Sequence, residues 1–90
     1  DEYFNIIIQT YSKAIKEVEV YNGMNIAELK DKIEEKFYVS KQYQELTYLF
    51  YRLDEDNLTI EDYKMKKNST IYLRGYFFPL FFNICNKMYL

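Results

Sequence analysis

From Tyr3 to Gln9 the chain alternates, with Phe4, Ile6 and Ile8 on one side and Asn5, Ile7 and Gln9 on the other. That is the two-residue period of a strand with one buried face. A polar turn at Thr10 to Lys13 follows, and Ile15 to Val20 alternates again, Val18 and Val20 inward and Glu17 and Glu19 in water. Two strands so close in sequence predict a hairpin. The period then changes. Asn25 and Glu28 have the spacing of a helix start, an Asn oxygen for an orphan amide and a Glu able to reach back. Ile26, Leu29, Ile33 and Phe37 recur at steps of three and four residues, which predicts a helix from Ile26 with one apolar stripe. Glu28 with Lys32 and Lys30 with Glu34 have ion-pair spacing, worth ~0.2–0.5 kcal/mol each, whereas burying each stripe residue contributes ~1.5–3 kcal/mol. Packing against a sheet therefore decides this helix.

The run Leu46-Thr47-Tyr48-Leu49-Phe50-Tyr51 is β-prone and predicts a third strand with Leu46 and Tyr48 on the core side. Leu53 is expected to start a short fourth strand. The acidic stretch Asp54 to Asn57 reads as a loop leading into Leu58 to Tyr63, and Thr70 to Leu73 as the last strand.

Thr59-Ile60-Glu61-Asp62-Tyr63-Lys64-Met65-Lys66-Lys67-Asn68-Ser69-Thr70-Ile71-Tyr72-Leu73 joins a tight polar turn to that strand, and it resembles the last third of ubiquitin-like domains, which read T-L-x-D-Y-x-I-x-x-x-S-T-L-x-L. The resemblance runs from about Phe4 to Leu73 and takes in Ile6, Ile8, Val18, Val20, Ile26, Leu29, Lys30, Ile33, Val39, Gln44 and Leu46. It implies an α+β fold, the ubiquitin-like β-grasp: a mixed four- to five-stranded sheet on one main helix, with the first and last strands side by side and parallel. Lys13 stands where family members usually have glycine in the first hairpin. The expected organisation is a ubiquitin-like domain over residues 1–75 and a hydrophobic C-terminal extension over 76–90.

Composition narrows the function classes. The 90 residues suffice for one compact core. A net charge of -2, with lysines scattered among carboxylates, gives no basic stripe, so nucleic acid is not an expected partner. The single cysteine, Cys85, has no internal disulfide partner, which points to an intracellular chain, cytoplasmic or nuclear. The sequence has no histidine, so Cys85 lacks the usual base and reads as a structural thiol. No enzymatic activity and no cofactor are expected. Asp54, Asp56 and Asn57 suggest a calcium loop only superficially, because the alternate ligand spacing breaks at Leu58 and the turn glycine is missing. Aromatic richness, with 11 Tyr and 7 Phe, fits a coding bias that also favours Ile, Lys and Asn.

The family's main recognition surface is an aliphatic triad on the open sheet face, and the resemblance places Tyr11, Thr47 and Arg74 there. A hydroxyl and a guanidinium in place of two aliphatics add desolvation cost for an apolar receptor helix. Candidate partner-binding residues are thus Tyr11, Thr47, Tyr48 and Arg74 on the sheet, with Phe77, Phe78, Phe81 and Phe82 in the extension. Conjugated family members end in two glycines in a flexible tail. This sequence has no Gly-Gly, and Arg74-Gly75 is the nearest approach to one. The extension is too apolar for a free tail yet interrupted by Asn83, Asn86 and Lys87, so a bilayer span is not expected. It is expected to fold back over the sheet, with docking of a partner or second copy, or a membrane anchor, as alternatives. The expectation is a non-conjugated ubiquitin-like domain that binds other proteins, ubiquitin-pathway or proteasome-related components among them. A modifier needing C-terminal processing and a membrane-tethered adaptor are the alternatives.

Overall fold

The computed structural model describes residues 2–10 and 12–75. Five strands and one helix follow in the order β1 (Tyr3–Thr10), β2 (Ile15–Tyr21), α1 (Ile26–Phe37), β3 (Gln44–Tyr48), β4 (Tyr51–Arg52) and β5 (Thr70–Gly75), with a short 3-10 turn at Lys41–Tyr43 before β3. The sheet order is β2-β1-β5-β3-β4. β1 and β5 run parallel, Ile8 opposite Ile71 and Thr10 opposite Leu73, and the β1–β2, β3–β5 and β3–β4 pairs are antiparallel. This is the expected mixed sheet packed on one helix.

Inward side chains of the strands meet the helical stripe. Ile6, Ile8, Val18, Val20, Leu46, Ile71 and Leu73 are buried together with Ile26, Leu29, Ile33 and Phe37. Met24, Val39, Leu53, Ile60 and Met65 close the ends of this core. The helix starts where Asn25 Oδ1 accepts from Glu28 N at 2.9 Å. It ends at Tyr38, whose left-handed backbone (φ 59) lets its N–H reach Glu34 O. Lys16 Nζ donates to Lys36 O at 2.8 Å and lies 5.3 Å from the Phe37 ring centroid, placing a cation on the carbonyl end of α1.

The segment after β4 is stitched to the start of α1. Ile26 N donates to Leu58 O and Ile60 N to Met24 O. Thr59 and Asp62 hold each other reciprocally, Thr59 N to Asp62 Oδ2 at 2.9 Å and Asp62 N to Thr59 Oγ1 at 3.1 Å. Those bonds are the physical content of the Asp-Tyr turn read from the sequence. Ser69 closes the next turn by accepting from Lys66 N at 2.8 Å, and its carbonyl accepts from Ile7 N at the head of β5.

Three expectations are corrected. The predicted third strand stops at Tyr48, because Leu49 and Phe50 form a two-residue turn and Tyr51 pairs back on Tyr48. Leu49 takes φ 57 there, and as an apolar side chain it gave no turn signal. The fourth strand is Tyr51–Arg52, with Leu53 just beyond it, where its N–H donates to Leu46 O. The helix lysines also choose other partners: Lys30 Nζ meets Asp56 Oδ1 at 3.2 Å and Lys32 Nζ donates to Glu19 O at 3.0 Å, while Glu28 accepts from the Tyr21 hydroxyl. Carbonyls and carboxylates within reach across the fold replace the weak pairs along the helix. The hairpin turn at Lys13 keeps a left-handed residue, φ 67, without glycine.

Candidate interaction surface

Alternation sets the open face of the sheet. Ile71 and Leu73 point into the core, so Tyr72 and Arg74 point away from it. Tyr72 pairs with Gln9 on one side and Thr47 on the other, and Thr47 in turn with Arg52, so Gln9, Tyr72, Thr47 and Arg52 form one row across four strands. Arg74 lies opposite Glu45 in the neighbouring row. A shallow hollow of about 260 Å³ opens among them, lined by Gln9, Glu45, Thr47, Arg52, Tyr72 and Arg74. Arg52 Nη2 lies 3.5 Å from Glu45 Oε1 and 3.7 Å from Asp54 Oδ1. The face thus presents a phenol ringed by guanidinium, carboxylate, hydroxyl and amide.

Of the candidates read from the sequence, Thr47 and Arg74 share this face. Tyr48 does not: it is 8% exposed, and its hydroxyl lies 3.4 Å from Ser69 Oγ. It belongs to the core side with Leu46. Tyr11, Phe77, Phe78, Phe81 and Phe82 lie outside the described residues, as do Cys85 and the folding-back expected of the extension. Tyr72 is the residue that sequence reasoning missed at the centre of the face. It is 53% exposed, and its position between inward Ile71 and Leu73 was the available signal.

A second exposed cluster sits at the β3–β4 turn. Leu49, Phe50 and Tyr51 are 63%, 98% and 61% exposed. Beside them a hollow of about 630 Å³ is lined by Tyr48, Leu49, Tyr51, Asp62, Tyr63, Lys64 and Lys66. Burial raises the Tyr63 phenol above its ordinary value of 10.0, the carboxylates of Glu55, Asp54 and Asp62 add to the rise, and a backbone hydrogen bond with Glu55 offsets part of it. The Tyr21 phenol is also raised, first by its hydrogen bond to Glu28, 3.2 Å away.

Chemistry beyond binding finds little purchase here. Among the described residues no group of three His, Cys, Asp or Glu side chains could hold a metal ion, and no described helix is long and apolar enough to cross a membrane.

The ubiquitin family profile matches residues 6–75, the span that carries the parallel β1–β5 pair, the helix and the Thr59–Asp62 turn. The chain belongs to the ubiquitin family. Comparison with curated proteins finds no match.

Proposed function

We propose that this domain is a non-conjugated protein-interaction module that receives partners on the open sheet face around Tyr72. The observation that carries the reading is Gly75. It lies within β5, paired with Gln44, and a Cβ there would come 2.9 Å from Val39 Cγ1. The glycine that most resembles a processing site is thus held by the ladder and required by packing. An activating enzyme needs a glycine free to thread its channel. The face itself supports docking of a partner that brings an apolar or aromatic anchor for Tyr72 and polar groups for its ring of charges. Tyrosine and arginine are the side chains most often found carrying binding energy at such surfaces. Ubiquitin-pathway and proteasome-related proteins are the partner classes to screen.

Two experiments test this. Incubating the full chain with ubiquitin-family activating enzymes and nucleotide is expected to give no thioester; a thioester would sink the non-conjugated reading. Affinity capture with Tyr72→Ala is expected to lose the partners retained by the unaltered chain. In the reverse direction, Thr47→Ile together with Arg74→Val should restore aliphatic surface and strengthen binding to ordinary ubiquitin receptors at least tenfold by titration calorimetry.

A further inference from the structure

Phe50 is 98% exposed between two other exposed apolar residues, Leu49 and Tyr51, at the corner of the β3–β4 hairpin. Leu49 and Tyr51 form walls of the adjacent hollow of about 630 Å³, but Phe50 does not. The molecule therefore displays an aromatic knob and, next to it, an apolar-walled recess that its own knob leaves open. A knob and a recess side by side on one surface are self-complementary under a twofold rotation: each copy's ring enters the other's recess, and the contact is made twice.

Charge around the recess favours the same occupant. Asp62 stands on its rim with Lys64 and Lys66. A uniformly acidic or uniformly basic segment meets a like charge on one side, whereas a second copy in twofold register brings lysine opposite aspartate. Area limits the strength. Aromatic side chains bury ~150–250 Å² each, so the tip and recess together fall below the ~800 Å² per partner of a standard stable interface. A weak pair in rapid exchange is the consequence.

We propose that two copies of this chain associate through the β3–β4 tip, Phe50 of each seated against Tyr63 and Lys66 of the other. The surface is separate from the Tyr72 face, so partner capture and self-association are independent of each other.

The test is sedimentation equilibrium of the full chain over a wide concentration range, with amide chemical shifts followed on dilution. The expected mass rises from 11.1 kDa towards twice that value, and the shifts cluster at Leu49 to Tyr51 and Tyr63 to Lys66. Phe50→Ser, which alters no core contact, is expected to raise the midpoint concentration at least tenfold and to leave thermal unfolding of the dilute protein unchanged. Tyr72→Ala is expected to leave the midpoint where it is. A chain that stays monomeric at every concentration overturns the proposal, as does a dimer indifferent to Phe50→Ser, which would place the contact elsewhere.

Discussion

Five non-glycine residues take positive φ: Lys13, Tyr38, Leu49, Lys64 and Asn68, while no glycine does. Left-handed backbone costs an L-residue roughly 1–2 kcal/mol, and asparagine tolerates it best. The turns are thus built from side chains that resist them, held in place by the strands and helix they join. Lys13→Gly is expected to stabilise the domain by about 0.5–1 kcal/mol, the relief of strain less the extra entropy of glycine in the unfolded chain, and Lys13→Val to destabilise it; denaturant midpoints check both. Gly75 behaves oppositely. Its Cβ position lies 2.9 Å from Val39 Cγ1 and 3.0 Å from Cγ2, and Val39 is fully buried. Gly75→Ala is expected to cost about 1–3 kcal/mol, as overpacking does, and Val39→Ala in the same chain to recover part of that loss. Neither effect was legible in the sequence, because a lysine at φ 67 and a lysine in a strand are spelled alike.

At the scale of elements, what could be read was what periodicity encodes. β1, β2 and α1 declared themselves because burial alternates every second residue in the strands and every third or fourth in the helix, and Ile26, Leu29, Ile33 and Phe37 are all buried as their spacing required. The β3–β4 hairpin did not, since Leu49 and Phe50 carry strand propensity into a corner. That error also hid the exposed tip, which as part of a strand would have had every second residue covered. Helix ion pairs failed for another reason: spacing along a helix says nothing of Asp56 or Glu19, which lie nearby only after folding. Two polar devices hold these elements together and should show it. Asn25→Ala removes the bond to Glu28 N and is expected to cost about 1 kcal/mol, the usual loss of an N-cap. Asp62→Ala removes the acceptor for Thr59 N and is expected to cost about 0.5–1.5 kcal/mol, the net worth of a hydrogen bond, with faster amide exchange confined to the segment around Ile60.

For the whole molecule, alkaline pH is the informative stress. Tyr21 and Tyr63 both have phenols raised above 10.0 in the folded state. The unfolded chain therefore releases their protons first. The stability tied to them is complete below pH 10 and is lost as pH rises beyond it through the folded values. Ultraviolet titration of phenolate is expected to show a late-ionising class that Tyr63→Phe diminishes. The face around Tyr72 was only half legible at this scale, since the family resemblance indicated Thr47 and Arg74 but not the tyrosine that the β5 register sets between Gln9 and Thr47. The place of β5 has one more consequence. The β1–β2 ribbon and the β3–β4 ribbon share no ladder; β5 lies between them and bonds to both. During synthesis on the ribosome the strand made last of the five must insert into the middle. Until it emerges, Ile6 and Ile8 on one ribbon and Leu46 on the other wait with open edges, so the nascent chain is most prone to clumping, and most in need of a chaperone, just before Thr70 to Gly75 arrive.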